Sequence, residues 1–267
     1  MNKIIIEKGK ITTEINKDII NVKYLEFNTI LAVDTLEIEI YDNDDLEIFY
    51  NINNDYKINV NIKIKEKINT TIYEQYIDNN LKIKNCYNID KSCNVSIQKF
   101  YCNNKIHQFD LINLNGENSK ITYVKKSINS EKNKYNLVIN HNTKNTNSDV
   151  INNGINILNG QTHFDITGYV PKNIINCCLN QVNQIINFNK NKCQINPILL
   201  IDENDVIANH SAFIGEFSEE QLFYLQSRGI KYEDAIKLLI KGFMLANLKL
   251  NSDNIETIES KINEYWR

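Results

Sequence analysis

The sequence predicts a mainly β protein with a short helical region at its C-terminus, and three observations support this fold class. Through about the first 200 residues, β-branched and aromatic residues alternate with polar ones. Clusters of Asn, Asp or Gly separate these stretches. After about residue 216 the alternation gives way to apolar residues at helical spacing. This order of elements argues against a doubly wound nucleotide-binding fold.

The β region consists of many short predicted strands, for example at residues 36–40, 58–64, 81–83 and 120–124. Alternation with a period of two indicates half-buried strands, because successive side chains point to opposite faces. With only two Pro and eight Gly, tight hairpin turns are few, and Asn115-Gly116 and Asn159-Gly160 are the candidates. Polar corners rich in Asn suit a β-helix or a long β-sandwich, and the residues alone leave both open. No fixed repeat length is visible.

Three helices are predicted after residue 216. Ser218 and Gln221 have capping-box spacing, and Arg228-Gly229 marks the end of this first helix. The second helix should span residues 232–248, and the third should begin at Ser252 or Asp253 and reach Trp266. We therefore expect a β domain at residues 1–215 and a helical domain at residues 216–267.

Composition limits the possible functions. The 267 residues carry 30 basic and 33 acidic side chains, with a pI near 5.9, so net charge gives no reason to expect nucleic acid or membrane as a partner. The N-terminus lacks the apolar core of a secretory signal. The six cysteines are scattered and form no CxxC pair, which indicates reduced thiols rather than a disulfide framework or a zinc site. We expect a cytoplasmic protein.

Residues 196–243 carry a motif-level resemblance to a known family. Residues 196–215 read NPILLIDENDVIANHSAFIG, residues 216–230 read EFSEEQLFYLQSRGI, and residues 233–243 read EDAIKLLIKGF. In register, these stretches resemble the SufB/SufD family of iron-sulfur cluster assembly scaffolds. Asn209-His210-Ser211-Ala212 is more similar to SufD, because SufB carries a glutamate where Ser211 stands. SufB also carries a cysteine shortly before this motif, and residues 197–206 contain none.

The resemblance implies a right-handed parallel β-helix followed by a C-terminal helical domain. It also implies a scaffold subunit of the SUF system whose helices dock the SufC ABC-type ATPase, and whose β-helix pairs with a SufB-like subunit or a second copy. A transient iron-sulfur cluster would form at that interface, with no cofactor permanently bound. The chain has no P-loop, so we expect a non-catalytic subunit and ATP hydrolysis in the partner. Relatives usually carry a helical region before the β-helix, whereas this sequence begins with predicted strands.

From its place in the motif, His210 is the expected ligand of a nascent cluster, because an imidazole nitrogen can replace thiolate at one iron. The alternative interpretation is a histidine that hydrogen-bonds a turn just before the helical region. Cys193 is a weaker reserve thiol, and a small buried hydrophobe is the alternative interpretation. The residues expected to contact the ATPase share the two helices that resemble the family's docking region: Leu222, Phe223, Tyr224, Arg228, Tyr232, Leu239 and Phe243. Alternatively, these aromatic residues seal the end of the solenoid. The helical domain is expected to cap that end in either case.

Two further functional classes are compatible with a β-helix. A carbohydrate-active enzyme would need clustered carboxylates, and Asp42, Asp44 and Asp45 form a local acidic cluster in an apparent solvated turn. A structural solenoid would explain the strands but not the helical motif. His107 and His163 stand singly in predicted strands and are interpreted as structural.

Overall fold

The protein is described by a computed structural model that covers residues 2–7, 10–25, 33–52, 56–78, 80–102, 105–189 and 191–266. Across these ranges the chain forms strands up to residue 215 and helices after it. The strands are β1 Asn2–Glu7, β2 Lys10–Glu14, β3 Ile20–Leu25, β4 Asp34–Ile40, β5 Leu46–Asn51, β6 Tyr56–Ile64, β7 Asn69–Ile77, β8 Asn80–Ile89, β9 Asn94–Cys102, β10 Lys105–Leu114, β11 Lys120–Asn129, β12 Lys132–His141, β13 Asn147–Asn156, β14 Gln161–Val170, β15 Cys177–Asn187, β16 Gln194–Ile201 and β17 Val206–Gly215.

The strands form two sheets. Sheet A has the order β17-β15-β13-β11-β9-β7-β5-β1-β2, and sheet B has the order β16-β14-β12-β10-β8-β6-β4-β3. From β4 onward each strand pairs in parallel with the strand two positions later in the chain, so each coil contributes one strand to each sheet. The result is a parallel β-solenoid of about six turns. The predicted fold class is confirmed.

The coils differ in length. Asn69 on β7 pairs with Asn94 on β9, 25 residues later, whereas Asn147 on β13 pairs with Cys178 on β15, 31 residues later. Because these offsets vary, the sequence shows no fixed repeat. Corners absorb the variation with residues in the left-handed backbone region, several of them asparagines: Asn118, Asn145, Asn173 and Asn176. The Asn-rich composition therefore supplies the corners of the solenoid.

The core is a file of isoleucines and aromatic rings between the two sheets. Tyr50, Tyr76 and Tyr101 stack on successive strands of sheet A, with ring centroids 4.2 and 4.3 Å apart. Gly116, at one corner, is required by packing, since a Cβ there would lie 1.9 Å from the backbone nitrogen of Lys91. Asn115-Gly116 thus forms a corner between the sheets rather than a hairpin turn.

The C-terminal helices are α1 Glu219–Ser227, α2 Tyr232–Leu245 and α3 Ser252–Tyr265. The capping box of Ser218 and Gln221 is present, and Gly229 has a φ of 84°, so both end signals of α1 are confirmed. The second helix ends three residues earlier than predicted. Ala246 leaves the helical region with a ψ of 138°, and Asn247 adopts a φ of 64°.

The helices lie along the outer face of sheet A, so the expectation that they cap the end of the solenoid was wrong. Ile240, Met244, Ile258 and Ile262 pack against outward-facing residues of sheet A such as Phe100. The cause is the outer face of sheet A itself, which is apolar over several strands and gains more from burial than the small end of the stack does. The final coil remains uncovered by helices.

Polar contacts fix the helices in this position. The Glu47 carboxylate on β5 accepts hydrogen bonds from Nδ2 of Asn251 at 2.9 Å and of Asn254 at 2.6 Å. At the other end of the contact, Lys126 Nζ on β11 donates to the carbonyl oxygen of Phe243 at 2.8 Å. That carbonyl lies in the last turn of α2, where a helix leaves acceptors without an intrahelical partner. Burial lowers the pKa of Lys126 to about 7.

Candidate functional site

The last coil, β16 and β17, forms the C-terminal edge of both sheets, and no described strand pairs beyond it. His210 lies in the middle of β17, opposite Gln181 of β15. Gln181 is buried in the interior, and parallel partners point to the same side of a sheet, so His210 stands in the inward-facing row at the open end. Its side chain is exposed.

A file of polar side chains runs through the solenoid interior toward this edge. The paired positions are Glu74, Lys99, Lys125, Asn152 and Asn183, on successive strands of sheet A. Lys99 Nζ lies 3.2 Å from a Glu74 carboxylate oxygen and 2.8 Å from one of Asp110. Asn152 donates to the side-chain oxygen of Asn183 at 2.8 Å, and Asn183 donates to the backbone oxygen of Ser211 at 3.2 Å. The file thus ends beside His210.

Lys125 is the least compensated charge in this file. Burial holds its pKa well below the usual range of a lysine. Its Nζ lies 4.0 Å from the ring centroid of Tyr135 and 3.8 Å from that of Phe164, so the electron-rich ring faces replace water. Sequence reasoning missed these interior lysines. The only available signal was their position in an otherwise regular strand pattern, residues 120–129, where Lys125 falls in register with inward-facing Ile121 and Tyr123.

The two strands of the last coil carry no charged residue and expose several apolar side chains. Neither β16 nor β17 contains Asp, Glu, Lys or Arg. Ile207 is 66% exposed and Phe213 46% exposed, both on β17, and Ile198 and Leu200 on β16 are also exposed. β16 carries Pro197, which lacks a backbone donor, whereas β17 has no proline. β17 therefore presents the more complete edge for strand pairing.

The structure does not bring the two predicted ligands together into a metal site. Cys193 immediately precedes β16 of sheet B, is half-buried, and its Sγ lies 2.7 Å from Asn156 Nδ2. His210 belongs to sheet A. Among the residues covered by the structure, no cluster of three or more His, Cys, Asp or Glu side chains is arranged to hold a metal ion.

The predicted docking residues fall into two groups. Phe223, Tyr224, Arg228 and Tyr232 are exposed on α1, its C-terminal end and the start of α2, and the Arg228 guanidinium lies 5.4 Å from the Tyr224 ring centroid. We call these four residues the helical patch. Leu222, Leu239 and Phe243 are half-buried.

Packing explains the second group. Phe243 packs on Phe217 and lies under Lys126, and Leu222 joins the same apolar cluster between the helices and sheet A. Leu238, which sequence reasoning did not select, is exposed on α2. The side of a helix that faces the solenoid could not be chosen before the position of the helices on sheet A was known.

The remaining sequence candidates have structural surroundings. Asp44 and Asp45 lie in the turn between β4 and β5, where Asp44 accepts from Asn2 Nδ2 at 2.9 Å and Asp45 accepts from the Thr71 backbone N–H at 2.7 Å. His163 on β14 bonds to Asp165 at 2.8 Å. In the part of the chain that is described, no helix has the length and apolar character needed to span a membrane.

Comparison with known proteins identifies the relatives of this chain. The family model for the SUF system FeS cluster assembly SufBD core domain matches residues 60–243. The iron-sulfur cluster assembly protein SufD of Bacillus subtilis is 57% identical over 49 residues, which cover 18% of this chain and 11% of that protein. A SufBD family protein of Pyrococcus horikoshii is 46% identical over 52 residues, covering 20% of this chain and 11% of that relative.

A longer alignment reaches a SufBD family protein of Staphylococcus haemolyticus, with 29% identity over 110 residues, 39% of this chain and 23% of the relative. The aligned parts therefore span between about a tenth and a quarter of these relatives. The family model, by contrast, matches well over half of the chain and includes β17, α1 and most of α2. On that match, this chain belongs to the SufBD core domain family of the SUF iron-sulfur cluster assembly system.

Proposed function

We propose that this chain is a SufD-like scaffold subunit of cytoplasmic iron-sulfur cluster assembly. It pairs with a SufB-like subunit or a second copy through its last coil, and it docks a SufC-like ABC ATPase through its helices. A nascent cluster, the cargo of the system, is held transiently at the pairing interface and leaves no resident cofactor. The observation that carries the proposal is an apolar, charge-free edge strand with His210 at its centre, in a chain of the SufBD family.

The pairing proposal follows from how sheet edges are usually protected. Native proteins blunt exposed edges with charged residues, prolines or covering elements, because an open edge is a template for another strand. β17 has no charged residue and no proline, no described element pairs with its outer edge, and it exposes Ile207 and Phe213. Such a surface is the expected signature of an edge that a partner covers.

The docking proposal is supported by the helical patch. Phe223 is 74% exposed and Tyr224 57% exposed. Aromatic and arginine side chains concentrate binding energy at interfaces. Glu47 holds the start of α3 against sheet A, and Lys126 holds the last turn of α2 there.

His210 is proposed as one ligand of the cluster, with the others supplied across the interface. It lies in the inward-facing row of the last strand, and its side chain is exposed at the open end, where a pairing subunit would lie beside it. A neutral imidazole at iron gives a bond that exchanges more readily than thiolate, as a transient site requires. Cys193 remains a reserve ligand at the start of the same coil.

The subunit is proposed to be non-catalytic, with ATP hydrolysis in the partner. The sequence contains no GxxxxGK[ST] motif. Purified chain alone should therefore hydrolyse ATP no faster than buffer. Turnover above background that follows the protein through purification would contradict this part of the proposal.

Co-expression with the host's SufC-like and SufB-like proteins tests the proposal. Tagged wild type should copurify with both partners and with iron. Phe223→Ala combined with Tyr224→Ala should lose the ATPase while the SufB-like partner stays bound, and His210→Ala should keep both partners but lose iron.

Lys120→Ala, on the outer face of sheet A, is the matched control and should behave as wild type. Recovery of the chain without either partner would refute the scaffold proposal. Full iron loading of the His210→Ala complex would refute only the ligand role.

A further inference from the structure

The outer face of sheet B carries a ladder of basic residues. Lys57, Lys82, His107, Lys134 and His163 occupy one outward-facing row on five successive strands, β6 to β14. Neighbouring strands lie about 4.8 Å apart, so the side chains of this row stand within reach of one bound molecule. Adjacent rows add Lys84, Lys105 and Lys132. The chain as a whole is slightly acidic, so this accumulation of lysines is local.

Part of the ladder surrounds a pocket of about 370 Å³. Lys57, Lys82, Lys84 and His107 line it, together with Asn59 and Val33. Lys84 also lies 5.8 Å from the Phe109 ring centroid, which orients its stem along the sheet. The volume falls in the range of small-molecule sites rather than of an extended protein interface.

These charges are not neutralised within the described structure. None of Lys57, Lys82, Lys84, Lys105 and Lys132 forms an ion pair with a described carboxylate. Asp165, in the next row, is engaged by Lys134 at 3.3 Å and by His163. Burial, together with the charges of Lys82 and Lys134, lowers the pKa of His107. Because no described carboxylate pairs with its lysines, the pocket has a positive potential.

We propose that this pocket binds a small compound carrying two or more negative charges on phosphate groups, held by Lys57, Lys82, Lys84 and His107. Lysine ammonium groups bind phosphate as point charges, and His107 is placed to add an N–H donor at the centre of the row. A diphosphate or triphosphate matches several cations spaced by one strand. A single carboxylate would leave most of them unpaired.

The position of the pocket keeps it clear of the surfaces assigned above. The helices cover sheet A, and the pairing edge is the last coil, whereas the pocket lies on the outer face of sheet B at β6, β8 and β10. The site therefore goes beyond the scaffold proposal, and failure of either leaves the other standing.

Calorimetric titration of the isolated chain tests the site, with pyrophosphate, orthophosphate and ATP as separate probes. Pyrophosphate should bind more tightly than orthophosphate, and affinity should fall with added salt. Comparison of the affinities for pyrophosphate and for ATP distinguishes an inorganic phosphate ligand from a nucleotide. Lys82→Gln should weaken binding about tenfold, as expected for loss of one charge-assisted contact. Lys120→Gln, the same charge change on sheet A, should leave it unchanged.

NMR titration of the His107 ring in the folded wild-type chain supplies a second readout of binding. Bound pyrophosphate should raise the pKa of His107 relative to the free chain, because a neighbouring anion favours the imidazolium. The proposal is overturned if no probe binds at millimolar concentration, or if Lys120→Gln weakens binding as much as Lys82→Gln. Tighter binding of a single-stranded oligonucleotide than of pyrophosphate or ATP would also overturn it, in favour of a nucleic-acid surface.

Discussion

The two ends of the solenoid are built differently. At the N-terminal end, β2 and β3 turn back and pair antiparallel with β1 and β4. β2 is a short, mostly exposed strand with Lys10, Thr12, Thr13 and Glu14. At the C-terminal end, β16 and β17 continue the parallel stack and expose apolar side chains without charge. In the described structure, one end is blunted and the other is left ready to pair.

In a repetitive fold, partners can bind only where the repeat is interrupted or faces solvent. Each coil in the middle has its strands satisfied by neighbours, so only the ends and outer faces are available to partners. Charged and polar residues on the exposed strand β2 cost little stability, and they discourage pairing with a strand of another chain. Apolar residues on β17 cost solubility unless a partner covers them. The contrast is therefore itself an argument that the C-terminal edge is an interface.

The largest effect is expected from placing charges on the C-terminal edge. Ile207→Lys combined with Phe213→Lys should weaken pairing with a SufB-like subunit or a second copy by about 100-fold or more, since both are exposed apolar anchors. Analytical ultracentrifugation of the mixed subunits measures this. Thr12→Lys on β2 is the matched control at the other end. Equal pairing by wild type and the double variant would show that these two side chains are not part of the pairing surface.

Acid should destabilise the fold through His141, which lies in the C-terminal half of the solenoid. His141 is buried, bonded to Thr146 at 2.7 Å and Ser148 at 2.9 Å, and burial lowers its pKa to about 4 from an unfolded value near 6.5. The unfolded state then binds the proton more readily, so this contribution is complete above pH 6.5 and is lost as pH falls toward 4. The loss is of the order of 3 kcal/mol.

Urea unfolding of wild type and His141→Gln between pH 7 and 4 measures this contribution. The acid-dependent loss should shrink in His141→Gln and persist in His163→Gln, whose ring lies half-exposed beside Asp165. If the free energy of unfolding of His141→Gln depends on pH as that of wild type does, acid destabilises the protein through other groups.

A smaller effect is expected where the helices brace the N-terminal coils. Glu47→Ala removes the carboxylate that accepts hydrogen bonds from the side-chain amides of Asn251 and Asn254. The loss of these two hydrogen bonds should lower the free energy of unfolding by about 2 kcal/mol. Hydrogen exchange should increase in α3 more than in α1. Glu37→Ala, an exposed carboxylate on β4, is the control. An equal loss of unfolding free energy in Glu47→Ala and Glu37→Ala would show that the contact with Glu47 does not stabilise α3.

The smallest effect is expected at the blunted end. Thr12→Ile combined with Glu14→Ile replaces exposed polar residues of β2 and should change the free energy of unfolding by about 0.5 kcal/mol or less. Light scattering should then show weak, concentration-dependent association that wild type lacks. Its absence would show that these side chains do not protect the edge.

The strands and helix ends were predictable because they depend on local chemistry. Alternation of apolar and polar residues over residues 58–64 indicates a strand with one buried face. Ser218, Gln221 and Gly229 indicate helix ends. Neither signal depends on the rest of the chain. The placement of α2 and α3 was not predictable, because it depends on an apolar face of sheet A assembled from residues of several coils. The expectation of an end cap failed for this reason.

The candidate site residues divide in the same way into those that a local motif indicates and those that it does not. His210 and the helical patch follow from the motif in residues 196–243. Lys99 and Lys125 did not, because lysine is normally exposed and the carboxylates and rings that compensate them lie on other strands: Glu74, Asp110, Tyr135 and Phe164. The basic row of sheet B was missed because its members are 25 to 29 residues apart in sequence.

Hydrogen exchange of the chain, alone and mixed with the proposed SufB-like and SufC-like partners, tests whether the C-terminal edge is the pairing surface. We predict protection of the β17 amides on assembly, protection around Phe223 and Tyr224, and no change in β2 or β3. Protection of β2 or β3 with β17 unchanged would contradict the account.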